Sequence, residues 1–192
     1  FNDADDVWLP DKLEQQFRLL RAFPDAIGCV GGNGRLHRDQ VSQWRFKVGP
    51  FVWQPEDGPQ PLDPPRFRPH FDGHAYIQSL LVKRRFASQV AFKPELNLMQ
   101  DQDFLLRLAQ LGPLVCVGAP VFLYRLGYSN TTAPGRMRAH EFLANRAYLD
   151  AMANAVKADE PHPIAKDFLT EYTPDPRDVR AFEISQRFRL CT

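Results

Sequence analysis

The stretch FNDADDVWLPDKLEQQ, residues 1–16, decides how the rest of the chain reads. Within it Asp3, Asp5 and Asp6 crowd three carboxylates into four residues, between Phe1 and the apolar Val7, Trp8 and Leu9. Like charges so close repel, and burial beside apolar residues adds a desolvation cost. Two arrangements relieve the conflict. A hard divalent cation such as Mg²⁺ or Mn²⁺ takes oxygen ligands, commonly one or two carboxylates together with substrate phosphates. Alternatively, one aspartate caps a helix starting near Pro10 and the others are solvated. The tetrapeptide alone does not choose between them.

Outward from this stretch, Pro10–Ala22 reads as a helix. Leu13, Phe17 and Leu20 recur at spacings of four and three, which predicts a buried apolar face. Pro10 suits a first turn, and Pro24 marks the exit. Ile27–Gly32, IGCVGG, reads as a short buried strand ending in a flexible glycine pair. A helix followed by such a strand belongs to α/β architecture. Gly49–Asp72 is rich in proline and glycine and reads as a long loop carrying Trp53, Phe67 and Phe71. Ser79–Val82 is a short apolar segment before the basic KRR. Asp101–Leu111 reads as a second helix that buries Phe104, Leu105, Leu108 and Leu111 and stops at Gly112. PLVCV and PVFLYR read as two strands separated by Gly118. Gly135–Lys157 carries a long helix, and two short helices are expected around IAKDFLTEY and RDVRAFEISQRF.

Composition narrows the function classes. The chain has 192 residues and a net charge of +1, enough length for a core and no bulk electrostatic footprint for nucleic acid. No apolar run reaches transmembrane length, and no signal-peptide pattern is present. Cys29, Cys116 and Cys191 are widely spaced, as expected of free thiols in a reducing, cytoplasmic compartment. Phe1 reads as the end of a strand, so a preceding segment is expected.

A second acidic cluster lies in NLMQDQDFLLRLAQ. Asp101 and Asp103 stand at a helix start, where backbone N–H groups and the dipole favour negative charge, so Asp101 can serve merely as an N-cap. Yet FNDADD, then MQDQDF, then YRLGYSNTT form an ordered set. The set FNDADDVWLPDKLEQQ, QSLLVKRRFASQVAFKPELNLMQDQDFLLRLAQLG and VFLYRLGYSNTT resembles family 2 of the glycosyltransferases across about residues 1–132.

The resemblance implies a GT-A-like mixed α/β sheet flanked by helices over 1–135, lacking its N-terminal nucleotide-binding segment, with a helical extension at 136–192. It implies an inverting transfer, in polysaccharide biosynthesis, from a nucleotide-diphosphate sugar to a glycan or lipid-linked acceptor. Asp3 and Asp5 take the metal and donor positions: Asp5 is the foremost ligand of Mg²⁺ or Mn²⁺, and Asp3 faces the nucleotide. Asp6 assists or caps the helix. Asp101 takes the place of the base that accepts the acceptor proton. Arg125 contacts phosphate or forms a structural pair with Asp103 or another acid.

Two departures stand out. Gln100 replaces the usual Glu before the base. Gly127 stands where a metal-completing His is common, leaving His140 as a substitute or simply an exposed residue. These departures and the missing segment leave a second class open, a non-catalytic carbohydrate- or partner-binding module. A metal-dependent phosphohydrolase ranks last because its motifs are absent. The Gly49–Asp72 loop is expected either as a lid over the acceptor, with Arg66 and Arg68 suited to an anionic glycan, or as scaffold. Arg136, Arg138 and Arg146 permit peripheral contact with the inner face of a membrane.

Overall fold

The computed structural model describes residues 1, 3–37, 40–45, 47–48, 51–52, 61–62, 76–126 and 138–190. The chain divides into two compact units: Phe1–Phe92 with Asp101–Leu126, and Lys93–Gln100 with Gly127–Thr192. The expected division at 135/136 falls among residues 127–137, outside the described residues.

The first unit is mixed α/β. In chain order through Arg125 the elements are β1 (Val7–Trp8), α1 (Lys12–Ala22), β2 (Gly28–His37), β3 (Gln40–Arg45), β4 (Lys47–Val48), β5 (Phe51–Val52) and β6 (Pro61–Leu62). A 3₁₀ turn at Ile77–Ser79 follows, then β7 (Leu81–Val82), α2 (Arg84–Ala87), α3 (Gln100–Leu108), a second 3₁₀ turn at Ala109–Leu111 and β8 (Leu114–Arg125). The sheet is open and mixed. β2 and β8 run parallel at its centre, paired from Gly28 with Leu114 to Leu36 with Arg125. Each has two outer partners in succession, all antiparallel: β7 then β3 along β2, and β6 then β1 along β8. β4 and β5 form a separate small ribbon.

Two strands are longer than the sequence suggests. The glycine pair does not end β2, which continues to His37, because Gly31 lies where β8 comes close. A Cβ on Gly31 would sit 2.8 and 2.9 Å from the methyl groups of Val121. PLVCV and PVFLYR are one strand, β8, not two. Its register against β2 shifts between Gly31 and Gly32 and again before Asn33, so irregular pairing absorbs Gly118 and Ala119 without breaking the strand. Within the expected Gly49–Asp72 loop, Phe51–Val52 and Pro61–Leu62 are short strands, Pro61 at a sheet margin where a missing N–H is tolerated.

The core of this unit joins Ile27, Val30, Leu80, Phe104, Leu105, Leu108, Leu114 and Cys116. Burying each large apolar side chain contributes about 1.5–3 kcal/mol. Phe104, Leu105 and Leu108 of α3 face inward as their spacing predicts, but Leu111 is exposed. The α-helix gives way to the 3₁₀ turn at Ala109, which rotates Leu111 off the buried stripe. Gly112, at φ 156°, then packs so tightly on Ile27 that a Cβ would lie 2.5 Å from its Cγ2.

Helix α1 departs most from expectation. Leu13 and Phe17 are exposed, and the buried residues are Lys12 and Gln16. Leu19 and Leu20 pack against Ala26, Cys29 and Val115. The reason is hydrogen bonding. The carbonyl of Ser79 accepts from Lys12 Nζ at 3.0 Å and from Gln16 Nε2 at 2.7 Å, and that of Cys29 accepts from Gln16 Nε2 at 3.1 Å. A buried unpaired carbonyl costs about 1–3 kcal/mol, so supplying these donors offsets much of what leaving Leu13 and Phe17 exposed forgoes. The outward face, with Glu14, Phe17, Arg18 and Arg21, borders a depression of about 500 Å³ that contains none of the candidate residues.

The second unit is helical, with α4 (Ala139–Ala158), α5 (Ala165–Glu171) and α6 (Pro176–Leu190). Phe142 meets Phe182 at 4.6 Å between ring centroids, and Tyr148 meets Phe168 edge-on at 5.8 Å, fixing α4 to both later helices. Asp159, in the left-handed region at φ 55°, ends α4 as a glycine commonly does. No helix among the described residues is long and apolar enough to cross a membrane.

Candidate functional site

The site is built where β1 meets β8. β1 pairs antiparallel with β8, Val7 opposite Leu123, so the residues before Val7 run past the end of β8. A turn closed by the Asp6 N–H on the Asp3 carbonyl, at 3.2 Å, gathers the carboxylates. Oxygens of Asp3, Asp5 and Asp6 all lie within 4.8 Å of one another. Asp3 and Asp5 are exposed, whereas Asp6 is 7% exposed. One Asp6 oxygen accepts the Arg125 backbone N–H at 2.9 Å, and the other is buried without a partner. Burial pushes the Asp6 carboxyl up to about 6, the Asp5 and Asp3 charges add to it, and the Arg125 N–H opposes it. Asp6 therefore does not cap α1. Arg125 also donates from Nε to the Asp5 carbonyl at 2.8 Å, tying its side chain to the turn.

The second acid approaches from α3. Asp101 is half-buried, and one of its oxygens accepts the Gln102 N–H at 2.9 Å. Burial raises its carboxyl to about 6, with the Asp3 charge contributing in the same direction and the backbone N–H groups of Gln102 and Asp101 opposing. Asp3 thus lies within electrostatic reach of Asp101, although 98 positions separate them in sequence (101 − 3). Packing explains the approach. The Phe1 ring lies 5.4 Å from Phe104 and 6.0 Å from Phe92, and Phe92 stacks on Phe104 at 4.7 Å. The apolar residue before the acids docks them on the helix that carries Asp101. Asp103 is fully buried and forms an ion pair with Arg107, so the second acid of DQD is an internal structural group.

Sequence reasoning misses a third contributor. Gln78, in the 3₁₀ turn, donates its side-chain amide to Asp3. The signal is in QSLLV, a polar pair directly before an apolar strand, where only the apolar half draws notice. His140 is exposed on α4 and belongs to no metal-ligating group among the described residues. Gly127, Trp53, Arg66, Phe67, Arg68 and Phe71 lie outside the described residues, as do Arg136 and Cys191. Gln100 is the first residue of α3.

The donor set fits a hard cation. Three carboxylates converge, and one buried oxygen among them has no partner. Comparison with protein-family models gives no match, and comparison with curated proteins gives none.

Behind the cluster, the buried Lys12 ammonium donates to Gln16 Oε1 at 2.7 Å and lies 5.0 Å from the centre of the Trp8 ring. Burial lowers its pKa from 10.5 to about 8. The folded state then releases this proton near pH 8, while the unfolded chain holds it to about pH 10.5. In that window the unfolded state binds more protons, so stability rises with pH. Lys12→Met should lack this increment. Urea denaturation of both proteins at pH 7.5 and pH 10 reads the difference, and equal pH dependence would show that the amine is not confined.

Proposed function

We propose that the chain carries the acceptor-side catalytic part of an inverting glycosyltransferase of GT-A type, related to family 2. It moves a sugar from a nucleotide-diphosphate donor to a hydroxyl of a glycan or lipid-linked acceptor. The observation that supports this reading most is that the Asp3–Asp5–Asp6 turn docks through Phe1 on the helix of Asp101 and brings Asp3 within electrostatic reach of that aspartate, which burial makes more basic. Asp5 and Asp3, with Asp6 behind them, are the residues to hold Mg²⁺ or Mn²⁺, which when bound would offset the charge of the donor diphosphate.

The remaining roles fall to the protein. Asp101 accepts the proton of the acceptor hydroxyl as its oxygen bonds to the anomeric carbon. The bond from that carbon to the diphosphate oxygen breaks, its electron pair leaves with the nucleoside diphosphate, and the configuration inverts. With its carboxyl near 6, Asp101 is ionised at neutral pH yet more basic than an ordinary aspartate, which suits general-base work. Arg125 brings a permanent cation to the rim of the cluster. The buried free thiols Cys29 and Cys116 fit a reducing, cytoplasmic setting.

The test is release of nucleoside diphosphate by the full-length polypeptide from a panel of UDP-, GDP- and dTDP-sugars, with and without Mn²⁺. Expected is Mn²⁺-dependent release that Asp5→Asn abolishes. Sugar binding with no turnover of any donor would replace this reading with a non-catalytic carbohydrate-binding module.

A further inference from the structure

Asp3 poses a mechanical problem. It is exposed, its side chain is short, and Asp5 and Asp6 repel it. Left alone, such a carboxylate turns away from its neighbours rather than toward a shared centre. Gln78 prevents this, since its Nε2–H donates to Asp3 Oδ2. An amide suits this position because it donates without adding charge. A lysine or arginine in its place would hold Asp3 equally well but would offset part of the cluster's charge and compete with a cation. At the other end of the same amide, Gln78 Oε1 is buried with no partner, in a residue that is only 5% exposed. An acceptor left unmet beside the acids is an acceptor for a donor that arrives with a ligand, such as a water in a cation's shell.

The backbone that carries Gln78 is locked. Ile77, Gln78 and Ser79 are all buried. Ser79 donates its N–H at 2.9 Å and its hydroxyl at 2.7 Å to the Tyr76 carbonyl, and the Leu80 N–H closes on Ile77 at 3.0 Å. The Ser79 carbonyl receives both Lys12 and Gln16. The buried polar pair of α1 therefore has a purpose: it anchors the turn that holds Asp3.

We propose that Gln78 is the positioning residue of the acid cluster, its amide N–H fixing the Asp3 carboxylate in the orientation that receives a divalent cation. The inference rests on reading the cluster as a cation site, as above. Supporting residues of this kind typically cost about 10–100-fold in metal affinity when removed.

The experiment measures Mn²⁺ binding by electron paramagnetic resonance of the free ion, titrated into the millimolar range. The proteins are the wild type, Gln78→Met, Asp3→Asn and the double variant, each checked for folding by circular dichroism. Gln78→Met keeps the shape and removes the donor. Expected is a loss of about 10-fold or more in affinity, with no further loss when the same change is made in the Asp3→Asn background. Should Gln78→Met not fold, Gln78→Glu decides the matter: counting charge alone predicts tighter Mn²⁺ binding, whereas loss of the donor predicts weaker binding. No uptake by the wild type overturns the cation reading itself. Uptake by the wild type with undiminished affinity in Gln78→Met, an equal loss in the Asp3→Asn background, or tighter binding by Gln78→Glu overturns the role of Gln78 alone.

Discussion

Replacing Asp101 with asparagine should slow sugar transfer about 10²–10⁴-fold, the usual contribution of a positioned general base, and leave Mn²⁺ binding largely intact. The amide matches the carboxylate in shape and still accepts the Gln102 N–H, so the helix start survives. In the proposed mechanism, what it loses is the capacity to take a proton from the acceptor. A second signature distinguishes the base from a mere acceptor within the first turn of α3. In the wild type the rate should fall as pH drops through about 6, where the Asp101 carboxyl becomes protonated. Asp6 also lies near 6, so the comparison is made with the cation site filled, which keeps Asp6 ionised; there the residual rate of Asp101→Asn should lack that limb. Initial rates across pH 5–8 for both proteins, with about saturating Mn²⁺, supply the measurement. Near-normal turnover in the variant would reduce Asp101 to a hydrogen-bond acceptor for the first turn of α3.

Phe104→Ala should destabilise the first unit by about 3–5 kcal/mol, the range for removing a large buried ring. Phe104 is 2% exposed, belongs to the main core, and stacks on Phe92 at 4.7 Å. Its removal also takes away the surface on which Phe1 rests, so the turn bearing Asp3 loses its apolar anchor. The variant should therefore lose Mn²⁺ affinity as well as stability, whereas Leu108→Ala, which opens the same core but leaves the Phe104 ring under Phe1 in place, should lose stability alone. Urea midpoints and Mn²⁺ titrations of the two variants separate the effects. A loss below about 1 kcal/mol in Phe104→Ala would mean that the core closes over the gap.

Much of this arrangement can be read from the residues, and the parts that cannot have physical causes. The inward face of α3 follows from its spacing because nothing competes for Phe104, Leu105 and Leu108. The same rule fails for α1. Lys12 and Gln16 are also one turn apart, and two buried carbonyls far along the chain need their donors. Periodicity counts apolar residues and cannot see an acceptor 67 positions away. β8 reads as two strands because Gly118 interrupts its pattern, while parallel pairing with β2 tolerates the irregularity. Asp3, Asp5 and Asp101 stand out as acids beside apolar segments. Gln78 does not, since a lone glutamine carries no signal until the turn beneath it is seen.

The junction of β1 with β8 has a consequence for the order in which the chain folds. Asp6 and the Arg125 N–H that meets it are 119 positions apart. Closing so long a loop costs entropy before any contact rewards it, and contacts of wide sequence separation form slowly. The hairpin of β2 with β3, joined by two residues, needs no such closure. Asp3, Asp5 and Asp6 are neighbours from the start, so what awaits this late contact is the burial of Asp6 and the approach of Asp3 to Asp101. The desolvation of Asp6 is added only when the first strand docks on the last, so it opposes that step and leaves the pairing of β2 with β3 unhindered.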